Sequence, residues 1–286
     1  MPNMHEEIDW ELIVDRIKSG QCTPFLGAGA CYGELPLASE IAENWAKDYG
    51  YPMKDFTDLA RVAEFLAIKD PLAPKEKLRK RFKTVPTPDF MKEDEPHGVL
   101  ADLPFPIYIT TNYDDFMEQA LKSRNKDPKS EVCLWYPYPS NKKPPSVFDS
   151  DYVPTPEKPV VFHLHGRIDI PDSLVLTEDD YLDFLKKISE EQALLPPPIE
   201  EAFTANSLLF LGYWLADWNF RVIFRSLKSY LGGKASAVAT CPSNWCRKAT
   251  FCLKTAMNGP CNTSTSISSG SKYKFTGGHA KTSSRN

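Results

Sequence analysis

The sequence lacks the features of a membrane-spanning, secreted or polyanion-binding protein. Its 286 residues contain no apolar run near the ~18 residues that a membrane helix requires, so no span is expected. The first twenty residues are acidic and amphipathic, without the apolar segment of a signal peptide. Lys and Arg number 34 against 38 Asp and Glu. A mildly acidic chain of this kind has no global reason to bind nucleic acid or an anionic membrane.

Cysteine and histidine are too few and too scattered for a disulfide framework or a closed zinc site. The seven cysteines are odd in number and dispersed, which predicts reduced thiols in a cytoplasmic protein. The late ones lack the paired C-x-x-C spacing of structural zinc sites; they are Cys241, Cys246, Cys252 and Cys261. His163 and His165 face one side of a predicted strand, but two histidines do not close a zinc site. We therefore expect no metal, and purified protein without stoichiometric zinc.

The chain does contain a regular alternation of short apolar runs and amphipathic helical patterns. The runs predict parallel strands covered on both faces, in a Rossmann-like α/β fold. They read CTPFL, FPIYITTN, EVCLWY, VVFHLHG and SLLFLGY. Charged, proline-punctuated helical patterns at about 51–100 predict a small helical insert. In such a sheet the ligand lies beyond the carboxyl ends of the strands, where the polar residues of interest fall.

The first strand runs into a turn that contains Gly27, Ala28, Gly29 and Gly33. Glycines here would let a ligand's phosphate approach backbone N–H groups at a helix N-terminus. The spacing is one residue longer than the dinucleotide fingerprint. A turn that needs glycine only for its backbone geometry therefore stays open as the alternative.

The second strand ends in TTNYDD, which contains Asn112 and Asp114. In isolation this segment favours an Asx-type turn followed by an Asp cap. The functional alternative uses the Asn112 carboxamide, which has both donors and an acceptor and so can hold a ribose hydroxyl and a water together.

Two further strand ends carry candidate groups. His165 precedes a glycine in HLHG, a position suited to a base or an orienting partner, whereas His163 is interpreted as a satisfied core histidine. Gly212 clears space after the last apolar run. Asp217 is positioned either to accept hydrogen bonds from an adenosine or to cap the next helix.

Taken in order, GAGA, TTNYD, LHG and LGYWLAD resemble the sirtuin-like superfamily over roughly residues 9–233. The sequence looks closest to the bacterial branch whose members hydrolyse NAD in antiphage defence. Because only Cys133 lies between 113 and 207, the four-cysteine zinc module of the deacylating sirtuins is missing. Cys31 also stands near a position where the family often has serine or threonine, which puts a hydroxyl contact to phosphate in doubt.

The resemblance implies a role for each matched residue. It places Gly27, Ala28 and Gly29 on the NAD diphosphate. It places Asn112 and Asp114 beside the nicotinamide ribose and makes His165 the catalytic histidine. Gly212 and Asp217 fall on the adenosine side. NAD is then a consumed substrate.

The same resemblance leaves other functions open. The alternatives are a module that senses NAD or ADP-ribose without cleaving it, and a deacylase or ADP-ribosyltransferase. A homo-oligomer is expected, together with a regulatory domain or partner protein that restrains the activity.

Residues 234–286 contrast with everything before them. They show no periodicity, contain four of the seven cysteines, and carry neither Asp nor Glu. One translation permitted by an offset reading frame from Cys241 onward has a strand–helix–strand pattern. We interpret 1–233 as the NAD-binding domain and 234–286 as a frameshifted, disordered tail. The intact form is then expected to continue into a further strand and a C-terminal regulatory or sensor domain.

Overall fold

A computed structural model describes residues 10–138, 143–190 and 194–213, and then 222, 225–227, 229–232, 236–241, 253 and 257. The helices are α1 (Trp10–Lys18), α2 (Ala38–Tyr49), α3 (Leu59–Ala67), α4 (Ala73–Phe82), α5 (Pro96–Ala101), α6 (Phe116–Ser123), α7 (Glu178–Glu190) and α8 (Pro197–Thr204). The strands are β1 (Cys22–Leu26), β2 (Ile107–Thr110), β3 (Lys129–Val132), β4 (Val160–His163), β5 (Ser207–Leu211) and β6 (Ser236–Cys241). None of the described helices has the length and apolar character needed to cross a membrane.

The six strands form one parallel sheet in the order β3-β4-β2-β1-β5-β6. The predicted Rossmann-like α/β fold is therefore confirmed. Strands β1, β2, β4 and β5 are buried along their whole length, which explains their continuous apolar sequences. The chain passes from β1 to β2 on one side and reaches β5 on the other. This reversal makes the ends of β1 and β5 the place where an open α/β sheet binds its ligand.

The predicted helical insert is present as α3, α4 and α5. The buried face of α3 includes Val62, Ala63 and Leu66, at helical spacing. These residues share an apolar cluster with Ile41 and Trp45 of α2. Burial of such side chains contributes about 1.5–3 kcal/mol each for the larger ones. This packing holds the insert over the carboxyl end of the sheet.

Strand β3 differs from its predicted position at EVCLWY. It begins at Lys129 and ends at Val132, so only the first two residues of the predicted strand belong to it. The chain then leaves the sheet because Trp135 packs into the core and donates from its indole Nε1 to Ser173 O at 2.8 Å. A continuous apolar run does not distinguish a strand from a buried turn.

The sheet extends into the segment interpreted as a tail. Residues 236–241 form β6 and pair in parallel with β5. Leu253 is buried and Met257 packs against the same side of the core. The rest of 242–286 lies outside the described residues, and the frameshift interpretation stays a prediction.

Candidate active site

A cavity of about 790 Å³ opens beyond the carboxyl ends of β1, β2 and β5. This volume falls within the ~300–1,000 Å³ typical of small-molecule sites. Six of the eight predicted site residues line it: Ala28, Gly29, Asn112, Asp114, His165 and Gly212. Gly27 is not part of the lining, but its carbonyl accepts a hydrogen bond from the side chain of Asn112. Asp217 lies outside the described residues. Apolar side chains of the insert, among them Leu59, Leu78 and Phe82, cover the opposite wall.

The glycine turn is held tightly against the end of β5. Gly27 N donates to Leu211 O at 2.9 Å, and Gly29 N donates to Gly212 O at 3.0 Å. A Cβ on Gly27 would stand 2.7 Å from the ring of Tyr213. The N–H groups of Gly27 and Gly29 are therefore already used within the protein and are not available to a ligand. This favours the alternative that the turn needs these glycines for its backbone geometry.

Among Gly27, Ala28 and Gly29, Ala28 is the exposed residue, and it begins a single 3₁₀ turn, Ala28–Cys31. Its backbone N–H donates to no other described residue. Of these three residues, Ala28 is thus the one whose N–H is available as a donor to a ligand.

Asn112 is fixed by three hydrogen bonds at the end of β2. Its backbone N–H donates to Thr110 Oγ1 at 2.9 Å. Its side-chain Nδ2 donates to Gly27 O at 3.1 Å and to Cys31 Sγ at 3.3 Å. A peptide oxygen only accepts, so the amide nitrogen must be the atom that faces Gly27.

This arrangement changes the role expected for Asn112. We predicted a carboxamide that donates and accepts toward a ligand at once. Both amide hydrogens are instead taken by Gly27 and Cys31. The Oδ1 atom accepts from no described residue, so it is the part of the amide available to a water or a ribose hydroxyl.

A buried cluster of side chains lies beside Asn112, and of its members only Asp114 was a predicted site residue. Cys31 Sγ lies 3.8 Å from His97 Nε2 and donates to Asp114 Oδ2 at 3.4 Å. His97 Nδ1 lies 2.8 Å from Glu95 Oε1. The ligand-capable atoms of Cys31, His97 and Asp114 all lie within 4.8 Å of one another. This is a donor set that can hold a metal ion.

Burial and charge oppose each other within this cluster. Burial disfavours the ionised forms of Glu95 and His97, but their hydrogen bond and mutual attraction outweigh it. The pKa of Glu95 is lowered and the pKa of His97 is raised. Burial raises the pKa of Asp114, although the neighbouring His97 counteracts it. The available sequence signal was EPH, a carboxylate two residues before a histidine at a helix start, and we interpreted it only as part of the insert.

The two histidines of HLHG are separated by the fold. Strand β4 ends at His163, so the alternation that would place both side chains on one face stops there. His163 is fully buried outside the cavity, with Nε2 2.8 Å from Glu118 Oε1. It is the satisfied core histidine that was predicted.

His165 enters the cavity wall among aromatic rings. The rings of Tyr181 and Phe184 meet it edge-on, at centroid distances of 5.7 and 5.2 Å. Its Nε2 is buried and has no hydrogen-bond partner among the described residues. Burial lowers the pKa of His165 to about 3. The ring is therefore neutral at physiological pH and carries an unsatisfied polar atom in a cavity wall, which makes it a candidate functional group.

Gly212 meets two requirements at the end of β5. Its φ is 79°, in the region that favours glycine. A Cβ there would lie 2.8 Å from Gly27 O and even closer to Ala30 N. The glycine turn therefore approaches residue 212 so closely that only glycine fits there.

Comparison with known proteins gives one family and several relatives. A sequence model of a family described as SIR2-like domain matches residues 106–251. The chain is 26% identical over 218 residues to a protein named NAD(+) hydrolase ThsA from Enterococcus faecium, which covers 75% of this chain and 41% of that protein. It is 24% identical over 209 residues to the protein of the same name from Bacillus cereus (strain MSX-D12), with 72% and 39% covered. The chain thus spans about two-fifths of the length of these relatives.

Proposed function

The chain belongs to the SIR2-like domain family, which confirms the resemblance drawn from its motifs, and on this basis we propose that it hydrolyses NAD to nicotinamide and ADP-ribose. The observation that carries the proposal is the cavity that joins Asn112, His165 and the glycine turn at neighbouring strand ends. The relatives named NAD(+) hydrolase support the same substrate.

Cleavage of the bond between nicotinamide and ribose needs few protein groups. The electron pair of that bond leaves with nicotinamide, which departs neutral. Positive charge develops on the sugar, and a water oxygen then bonds to the sugar carbon and loses one proton. The site must hold the two reactants in line and stabilise the developing charge.

We assign Asn112 to the orientation of water or ribose through Oδ1. Because Gly27 and Cys31 occupy both amide hydrogens, the acceptor oxygen is fixed rather than free to rotate. A group that is already oriented loses little entropy when the reactants bind.

We assign His165 to accept a hydrogen bond from a ribose hydroxyl. A neutral imidazole has one acceptor nitrogen, and the buried Nε2 is without a described partner. A bound hydroxyl would satisfy that nitrogen.

Gly27, Ala28 and Gly29 are proposed to lie along the NAD diphosphate, with the N–H of Ala28 as the donor. Asp114 is proposed beside the nicotinamide ribose, and Gly212 with Asp217 on the adenosine side.

NAD hydrolysis in an unrestrained form would deplete the cell that makes the enzyme. The activity therefore suits an effector of bacterial antiphage defence that is held inactive until triggered.

The direct test is incubation of purified protein with NAD and measurement of free nicotinamide. Asn112→Ala and His165→Ala are each expected to abolish release in folded protein. Asn112→Asp is expected to be inactive as well, although it keeps an acceptor, because a carboxylate oxygen would then face Gly27 O. Asn206→Ala, which changes an amide that donates to Thr23 outside the cavity, serves as the matched control.

Three outcomes would redirect the assignment. Near-native turnover in Asn112→Ala or His165→Ala would remove that residue from the mechanism. NAD-induced thermal stabilisation without nicotinamide release, in protein supplied with its trigger, would favour an NAD-sensing module. A requirement for an acyl-lysine peptide would favour deacylation.

A further inference from the structure

Three potential metal ligands from distant segments meet beside the cavity. Cys31 follows β1, His97 lies in α5, and Asp114 follows β2. They are 66 and 83 residues apart from Cys31 in sequence. We propose that Cys31, His97 and Asp114 bind a thiophilic divalent cation of the Zn²⁺ class.

The spacing of the donor atoms suits such a cation. Zinc binds thiolate sulfur at about 2.3 Å and imidazole nitrogen or carboxylate oxygen at about 2.0–2.2 Å. With tetrahedral angles, sulfur then lies about 3.6 Å from each of the other two donors. The observed distances from Cys31 Sγ are 3.8 Å to His97 Nε2 and 3.4 Å to Asp114 Oδ2. These two distances therefore match to within a few tenths of an ångström, and the third pair of donor atoms, on His97 and Asp114, lies within 4.8 Å.

Glu95 gives His97 the partner that a metal-bound imidazole usually has. A carboxylate on the far ring nitrogen fixes the tautomer and ring orientation of a ligating histidine. Glu95 Oε1 lies 2.8 Å from His97 Nδ1, and both side chains are buried. The Nε2 atom is thereby left on the side of Cys31.

The charges of the cluster also favour a cation. Glu95 and Asp114 place two carboxyl groups in the interior beside a thiol. Within the described ranges, neither carboxyl group has a Lys or Arg in hydrogen-bond or ion-pair contact; Glu95 contacts the ring of His97, and Asp114 accepts from Cys31 and from the backbone of Phe116. Buried carboxylates are ordinarily paired or bound to metal.

The remaining coordination position faces the cavity. Cys31 and Asp114 both line it, and Asn112 Nδ2 donates to the same sulfur that would bind the cation. A water or a small ligand from the cavity would complete a four-coordinate shell. This inference does not depend on NAD cleavage, and it opposes our sequence-based expectation of no metal, which rested on the scarcity of histidines and on the spacing of the late cysteines.

The test uses the full chain, stripped of metal with a chelator and titrated with Co²⁺. A thiolate-bound tetrahedral cobalt centre gives a thiolate-to-metal charge-transfer band and intense visible bands, and Zn²⁺ should abolish both by displacement. We expect one Co²⁺ per chain in the wild type and in a variant whose four late cysteines are replaced by serine. Cys31→Ser should lose the charge-transfer band, and Asp114→Asn should lose the tetrahedral visible bands. Glu95→Gln should keep the spectrum but bind Zn²⁺ about 10–100-fold more weakly.

Controls separate binding from misfolding. Cys133→Ala removes another buried thiol and should leave the cobalt spectrum unchanged. Circular dichroism establishes which variants are folded. Absence of the charge-transfer band in wild-type protein would overturn the proposal whatever the variants do, and would leave the cluster as hydrogen bonds alone. The same conclusion follows if the band survives Cys31→Ser or disappears only when the late cysteines are removed.

Discussion

The buried His165 ring predicts a specific loss of stability in mild acid. The ordinary pKa of histidine is 6.5, and burial lowers that of His165 to about 3. The unfolded chain therefore takes up a proton at this residue below pH 6.5, while the folded chain does not. Folding stability from this group is full above pH 6.5 and is lost as the pH falls toward 3.

The magnitude follows from the two pKa values. Each pH unit below 6.5 costs about 1.4 kcal/mol, because the unfolded state alone is protonated. Between pH 7 and pH 5 the loss is about 2 kcal/mol, and the full effect near pH 3 is about 5 kcal/mol. A loss of 2 kcal/mol is a large share of the ~5–15 kcal/mol that stabilises a typical domain.

The measurement is urea unfolding of wild type and His165→Gln at pH 7, 6 and 5. Glutamine is polar, similar in length and does not titrate, so the pH dependence of all other groups cancels in the difference. We expect the wild type to lose about 2 kcal/mol more than the variant between pH 7 and pH 5. Equal losses in the two proteins would refute the inference of a buried, neutral imidazole.

Several strands were predictable because burial on both faces demands apolar residues at every position. CTPFL and SLLFL coincide with β1 and β5, and IYIT and VVFH with β2 and β4. Strand β3 was placed two residues too late, because the apolar residues after it are buried by tertiary packing and not by pairing. Strand β6 was not predicted, because its sequence, SAVATC, lacks the bulky apolar residues that are typical of a central strand.

The site was predictable to the extent that it lies at strand ends. Asn112, His165 and Gly212 end or follow apolar runs, so the sheet brings them together by topology alone. The cluster around Cys31 depends instead on α5 of the insert packing under the glycine turn. No local pattern specifies that contact, because the partners are separated by 66 or more residues.

The orientation of the Asn112 side-chain amide could also not be predicted from the sequence. The residue type determines which hydrogen-bond donors and acceptors a side chain has, but the fold determines which of them are bonded within the protein. The glycine turn was expected to let a ligand's phosphate approach its backbone N–H groups, and Gly27 is part of that turn. Gly27 instead donates its N–H to Leu211 and uses its carbonyl to orient Asn112.

The remaining predictions concern a core histidine and a strand-end glycine. His163→Ala should destabilise the protein by about 3 kcal/mol in urea unfolding, because it leaves the buried Glu118 carboxylate without its closest partner; a loss below about 1 kcal/mol would contradict a structural role. Gly212→Ala should cost clearly more than Gly20→Ala. Both glycines have positive φ, 79° and 71°, so both variants carry the ~1–2 kcal/mol backbone strain of an L-residue. A Cβ at Gly20 meets nothing within 4 Å, whereas one at Gly212 lies 2.8 Å from Gly27 O. The difference between the two variants therefore isolates the close approach of β5 to the glycine turn. Equal destabilisation would show that Gly212 is required only for its backbone angle.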